Sequence, residues 1–197
     1  MYLPAARGFD EYLGIPYSDD MGEARRTPCA GKSVQLPERV TPGNYVYTES
    51  DSVHGDDIQN LHDLNKGGGM LPLVYQSGGV TSNTDGKYNS NTTVLEQPLD
   101  FSTLAPKYSD FVLDFIEKSH AAPFFLYMPF SHVHTTAGDQ PQKQYAACQF
   151  QNTSLRGAFG DALSEVEWII GNVVDKLEGT NLSENTLILF TGDNGPW

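Results

Sequence analysis

The residue types able to do chemistry in this chain of 197 residues fall into three short polar clusters. The last, Gly192-Asp-Asn-Gly-Pro196, sets a carboxylate, Asp193, beside a side-chain amide, Asn194. Both offer the hard oxygen donors that Ca²⁺ or Mg²⁺ accepts, and the same five residues are also ordinary turn chemistry. The second cluster is Ser131-His-Val-His134. In an extended segment His132 and His134 point to one side, because side chains alternate with period two. Two imidazoles so placed hold a metal, bind an anion or shuttle a proton. The third is Ser18-Asp-Asp20, following Pro16-Tyr17, which reads as a turn exposing polar groups. A solvated loop tip accounts for it as well as a site does. Cys29 and Cys148 are far apart and make no C-x-x-C or zinc spacing, so a disulfide between them stays open.

The elements that must position these clusters read as an α/β layer. Four apolar residues, Leu187–Phe190, lead straight into Asp193 and suit a strand buried on both faces. A second such strand, Phe124–Met128, leads into the histidines. Each is preceded by an amphipathic helix: Tyr108–His120, with Phe111, Val112, Phe115 and Ile116 on one face, and a longer one opening at Asp161. The second helix carries a core stripe of Leu163, Val166, Ile169, Ile170, Val173, Val174 and Leu177, with Glu165 and Glu167 on an acidic outer face, and ends at Gly179. If the two strands are parallel in one sheet, both polar clusters lie on the edge where α/β sheets bind ligands. Upstream, Leu71–Tyr75 and Thr93–Gln97 read as short strands, and Phe9, Tyr12, Leu13 and Ile15 suggest a short buried turn of helix. Residues 23–70 carry scattered Pro, Gly, Asp and Ser without period, the mark of an insertion or functional loop. His54 and His62 sit there among acids at no metal-binding spacing.

Composition narrows the function. With 25 acidic against 12 basic residues, the net charge of −13 argues against a phosphate-backbone binder, hence against a nucleic-acid partner. A length of 197 residues with 10 Phe and 10 Tyr suits one domain with a proper core. No apolar run reaches membrane-spanning length. No basic n-region or apolar h-region follows Met1, so no secretory signal is read there. Sequons at Asn91-Thr-Thr, Asn152-Thr-Ser and Asn181-Leu-Ser favour a secretory route weakly.

Four segments, in order and in register, resemble the arylsulfatases of the sulfatase family, in the arylsulfatase A and G branch. They are Gly8-Phe-Asp-x-Tyr-x-Gly-Ile-Pro-Tyr-Ser-x-Asp-Met-Gly22, Leu95-Glu-Gln-Pro-Leu-Asp100, Pro123-Phe-Phe-Leu-Tyr127 with its His-x-His, and Thr191-Gly-Asp-Asn-Gly-Pro-Trp197. The resemblance implies an alkaline-phosphatase-like α/β/α fold with a largely parallel central sheet. It implies hydrolysis of sulfate esters with bound calcium and a cysteine-derived formylglycine, whose hydrate attacks sulfur. By position, Asp193 and Asn194 match the family's later calcium ligands, His134 the histidine that contacts the sulfate ester, and Ser18 a serine near the substrate. His132 matches no functional position. The implied partner is a sulfated small molecule, glycan or lipid, and the implied location is secreted, lysosomal or elsewhere in the endomembrane lumen.

Departures from the family pattern bound the expectation. Its nucleophile lies in Cys-x-Pro-x-Arg, whereas Cys29 precedes Ala-Gly-Lys-Ser and Cys148 precedes Gln-Phe-Gln-Asn. The N-terminal paired aspartates and Gly-Lys-Trp-His-x-Gly are absent, and Thr135-Thr136 stands where x-Pro is usual. Residues 1–197 therefore read as an internal portion of a sulfatase catalytic domain, with 23–70 a loop-rich insertion. By itself such a chain is expected not to turn over a sulfate ester, since Asp193 and Asn194 are two donors for an ion taking about six to eight oxygens. Two other readings are a phosphate- or phosphonate-ester hydrolase of the same superfamily and a non-catalytic truncated product.

Overall fold

The computed structural model describes residues 3–25, 69–78, 91–119, 121–136 and 144–195. Most of the expected insertion, with His54, His62 and Cys29, lies outside them. The described chain is α/β. A 3-10 turn, Pro4–Arg7, leads into β1, Glu11–Gly14; β2 is Leu73–Ser77 and β3 is Asn91–Glu96. A second 3-10 turn, Phe101–Thr103, feeds α1, Leu104–Ser119, and the longer α2 is Gly157–Gly179.

The three strands form one sheet in the order β1-β2-β3, and both pairings are antiparallel. Tyr12 faces Gln76 across the first pair and Tyr75 faces Thr93 across the second. The helical turn expected near Tyr12 is therefore corrected to a strand. The spacing of Phe9, Tyr12, Leu13 and Ile15 fits a helical turn locally, but pairing with β2 from more than 50 residues away overrides so short a propensity. Inside β2, Leu73 and Val74 are buried together with Gln76. That amide is satisfied on both ends: its Oε1 accepts from Ala5 N at 3.3 Å and its Nε2 donates to Thr92 Oγ1 at 2.8 Å.

Asp100 starts the helical run, its Oδ1 accepting from Ser102 N at 2.9 Å. Pro106 sits in the first turn of α1, where a missing N–H costs no helical hydrogen bond. Tyr108, Val112 and Ile116, four apart, give the helix its buried face. Val112 and Ile116 pack against Leu177 of α2 with Val173 beside them. Asn172 Nδ2 donates to the buried Ser109 Oγ at 3.0 Å, fixing the register of the two helices. A second cluster, Leu71, Leu73, Leu99, Phe101, Leu104, Tyr108 and Tyr145, joins the sheet to α1. Burying each large aliphatic side chain there contributes about 1.5–3 kcal/mol.

The face of α2 differs from expectation. Leu163 is exposed, whereas Asp161, Ala162, Glu165, Val166 and Ile169 are buried. Glu165 is thus not on an acidic outer face, although Glu167 is exposed. Helical spacing counted backward from Ile169 puts 165 and 161 on its own side. Both carboxylates are tolerated inside because both have partners. Asp161 accepts from the backbone N–H groups of Asn152, Thr153 and Ser154 at 2.8, 3.1 and 2.8 Å. Gly160 beside it must lack a side chain, since a Cβ would lie 2.0 Å from Ser154 Oγ.

The segments 124–128 and 187–190 have no regular secondary structure and pair with no strand among the described residues. The parallel arrangement expected of them has no counterpart there. Phe124, Leu126 and Met128 pack against the α1–α2 core, while Phe125 and Tyr127 project outward.

Candidate functional site

The Ser131–His134 segment is anchored from α2. Its first histidine turns inward: the His132 side chain is fully enclosed, and its Nε2 lies 2.7 Å from Glu165 Oε2, itself fully enclosed. Glu165 Oε1 accepts from Ala147 N at 2.9 Å, so one carboxylate holds both the histidine segment and the 145–147 strand of chain. The His132 ring packs against Tyr145, with centroids 4.6 Å apart. Tyr145 in turn stacks on Phe101 at 4.1 Å, which carries the site into the core.

His134 goes the other way and is exposed. Its Nδ1 lies 2.7 Å from the carbonyl of Thr135. A carbonyl only accepts, so Nδ1 carries the hydrogen, and Nε2 is the nitrogen presented to a ligand. His132 and His134 therefore do not share a side, contrary to the alternation expected. The chain turns at His132–Val133 and His134 N donates back to Ser131 O at 3.2 Å, which breaks the extended geometry that alternation needs.

The Ser18–Asp20 loop lies against this segment. Asp19 is buried, and burial pushes its carboxyl up to about 7, with the charges of His134 and then His132 pulling it back. Asp20, exposed, is held below the usual carboxylate range chiefly by a hydrogen bond from Ser18, with a smaller contribution from His134. Tyr108 adds to the wall, its Oη 3.2 Å from Ser131 Oγ, and burial drives its phenol well above the ordinary tyrosine value. Burial likewise raises Tyr145, so both phenols stay protonated.

Of the four residues singled out from sequence, the structure brings Ser18 and His134 into one neighbourhood. Asp193 and Asn194 sit on an exposed turn with no hydrogen bond to either among the described residues. One terminal atom of the Asn194 amide lies 2.7 and 3.0 Å from the two carboxylate oxygens of Asp193. With nitrogen there, the amide donates to the carboxylate; with oxygen there, hard donors converge as a cation would require. The donor set fits calcium in kind and adjacency and falls short in number. Among the described residues no group of three or more His, Cys, Asp or Glu is placed to hold a metal. Cys148 is disulfide-bonded, and no cysteine among the described residues is free.

Sequence reasoning gives Asp19 no role beyond a turn, places Glu165 on an outer face and passes over Tyr145. Glu165 was detectable from its four-residue offset to Ile169; for Asp19 and Tyr145 no local pattern announces burial.

The sequence profile of the Sulfatase family matches residues 5–197, and the chain belongs to that family. It is 32% identical to Arylsulfatase G of Mus musculus over 207 aligned positions, covering all of this chain and 31% of that protein. It is 32% identical to Arylsulfatase G of Homo sapiens over 199 positions, with the same coverage, and 42% identical to Arylsulfatase of Hemicentrotus pulcherrimus over 106 positions. The latter match covers 54% of this chain and 18% of the relative. The chain thus spans about a third of the length of the Arylsulfatase G proteins it matches end to end.

Proposed function

We propose that this chain supplies the histidine-bearing part of a calcium-dependent sulfate-ester hydrolase of the arylsulfatase type. The observation that carries the reading is that the charges of His134 and His132 reach the carboxylates of the Ser18–Asp20 loop, in a chain of the sulfatase family. His134, with Nδ1 committed to Thr135 O, presents Nε2, and a protonated Nε2 can donate to the bridging oxygen as the alcohol leaves. The Ser18 hydroxyl, whose single O–H now goes to Asp20, would turn from that carboxylate to donate to a sulfate oxygen. The substrate class is a sulfated small molecule, glycan or lipid.

Asp193 and Asn194 would hold calcium, which when bound polarises the sulfate oxygens as a Lewis acid. Two donors do not complete its shell, so the remaining oxygens must come from elsewhere in a larger site. The family's formylglycine has no precursor cysteine in these 197 residues: neither cysteine lies in Cys-x-Pro-x-Arg, and Cys148 is in a disulfide. The same reading makes residues 1–197 part of a larger alkaline-phosphatase-like catalytic domain, with 23–70 an insertion. In it, 124–128 and 187–190 are strands of a largely parallel sheet. A disulfide at Cys148 and exposed sequon asparagines at Asn91, Asn152 and Asn181 suit a glycoprotein of an oxidising lumen, secreted or lysosomal. No helix among the described residues is long and apolar enough to cross a membrane.

Titrating the ¹⁵N-labelled chain with inorganic sulfate tests the site. Resonances of Ser18 and His134 are expected to move, and a titration that leaves both unchanged would overturn the assignment. Turnover of 4-nitrocatechol sulfate in calcium buffer is expected to match the blank. Activity lost on His134→Ala would show that this chain needs no further nucleophile.

A further inference from the structure

Two stretches lead into the candidate site from distant parts of the chain. β1 pairs with β2 as far as Gly14, opposite Val74, so Ile15 is the first residue past the ladder, three residues before Ser18. Ser131 opens the turn that His134 N closes on Ser131 O, three residues before His134. Both stretches meet one atom. Tyr108 Oη, on the buried face of α1, accepts the Ile15 N–H and lies 3.2 Å from Ser131 Oγ.

A phenol makes both bonds at once, because its oxygen accepts while its one O–H donates. Burial keeps Tyr108 protonated, and the hydrogen bond from Ile15 opposes that only in part. Accepting from Ile15 leaves the Tyr108 O–H for Ser131 Oγ. A backbone N–H that has left the ladder still needs a partner, and the phenol supplies it. Packing fixes the ring beneath: it belongs to the cluster of Leu73, Phe101, Leu104 and Tyr145, against which Ile15 and Tyr17 pack. Its helix is locked in turn, since Asn172 of α2 donates to Ser109, the residue after Tyr108. Tyr145 Oη also lies toward Ser131 but makes no hydrogen bond of ordinary geometry, so Tyr108 is the phenol that takes the serine.

We propose that Tyr108 is a positioning residue whose hydroxyl joins the root of the Ser18 loop to the root of the His134 turn, and so sets the spacing of those two side chains. Glu165 holds His132 from α2 and Tyr108 holds Ser131 from α1, so the turn bearing His134 is fixed at neighbouring residues from two helices. Removing the hydroxyl alone leaves the ring, the core and the helix pair in place and frees the two roots from each other. An anion that needs donors from both sides then binds less well, while the chain keeps its fold. That bearing on anion binding rests on the proposed sulfate-ester site; the bridge itself does not.

Tyr108→Phe, which keeps the ring, tests the bridge in the full chain by amide hydrogen exchange and ¹⁵N resonances. The Ile15 amide is expected to exchange about three- to tenfold faster than in the wild type, the size of one hydrogen bond, and the His134 amide and ring resonances to move. Ala147 and Ser154, bonded to the α2 carboxylates, are expected to keep their rates. Unchanged exchange at Ile15 overturns the proposal. So does acceleration spread evenly over Ile15, Ala147 and Ser154, the mark of lost stability alone. Ser131→Ala removes the other bond: His134 is expected to move while Ile15 keeps its rate, and Ser131→Thr, which restores a hydroxyl, to bring His134 back. A His134 resonance that stays unmoved in Ser131→Ala overturns the joining, and this pair of variants decides if Tyr108→Phe does not fold. With inorganic sulfate as the probe, Tyr108→Phe is expected to bind about three- to tenfold more weakly than the wild type, and equal affinity overturns the positioning role. A wild-type chain that binds no sulfate fails the sulfate-ester site, and the exchange rates alone then decide the bridge.

Discussion

Two stretches of similar length and character meet different fates in this molecule. Phe124–Met128 and Leu187–Phe190 are both apolar and both without a ladder partner among the described residues. The first is gripped on one face: Phe124 sets its ring edge-on against Phe115 at 5.6 Å, and Leu126 and Met128 sink into the helix pair. The second is gripped on neither; Leu187 and Leu189 are 83% and 84% exposed, and Ile188 and Phe190 are exposed too. Strand sequence alone therefore does not hold a segment in place. What holds the first is the α1–α2 face beneath it and, at its far end, the Glu165 carboxylate that ties down His132. Of the candidate site residues, those beyond the gripped segment have a built environment, and Asp193 and Asn194, beyond the bare one, have only each other.

The comparison can be broken most directly at Glu165. Glu165→Ala leaves His132 and the Ala147 N–H buried without a partner, and denaturant unfolding should show a loss of about 3–5 kcal/mol. Glu165→Gln, which keeps the shape, should lose less.

Asp19 gives the next largest effect, and it depends on pH. Its folded carboxyl, at about 7, holds a proton more tightly than the ordinary 3.8. The native state thus binds more protons between those values, and stability must fall as pH rises. The stabilisation is complete below about 4 and is lost as pH passes through about 7, a change of the order of 2–4 kcal/mol. The stability difference between wild type and Asp19→Asn, measured from about pH 4 to about pH 8, isolates this slope. A difference that does not vary with pH would show that Asp19 ionises as freely inside as outside.

Truncating side chains in the two apolar segments sharpens the contrast further. Phe124→Ala should cost about 2 kcal/mol, since it empties a half-enclosed position against Phe115. Leu189→Ala should change stability by less than about 0.5 kcal/mol, because its side chain touches little. Equal losses would mean that both segments are equally packed. Smallest of all is Lys118→Ala, which removes an exposed pair with Asp114 one helical turn away and should shift stability by no more than about 0.5 kcal/mol.

Much of this was legible in the sequence, and the failures are instructive. Both helices stand within a few residues of expectation because their stripes repeat over several turns, and local periodicity survives any tertiary context. The strands expected at 71–75 and 93–97 appear at 73–77 and 91–96, displaced by one or two residues at each end as non-local pairing allows. At β1, four residues are too few for any pattern to outweigh the β2 edge. The inward turn of His132 was invisible because it depends on Glu165, 33 residues away, and Glu165 was itself read as solvated. Charge at that position suggests surface, whereas a carboxylate with two donors is stable inside. Ser18 and His134 were named from resemblance, and the structure sets their loops together. The edge expected to bring Asp193 beside His134 requires a parallel pairing of 124–128 with 187–190, and none occurs among the described residues.

The central claim is that side-chain carboxylates on α2, and no strand ladder, hold the candidate site in this chain. Residue-resolved hydrogen–deuterium exchange tests it most directly. Ala147, bonded to Glu165, and Asn152 and Ser154, bonded to Asp161, should exchange slowly, while the amides of Leu187–Phe190 exchange at the rate of an open chain. Slow exchange across 187–190, with Ala147 and Ser154 unprotected, would contradict the account.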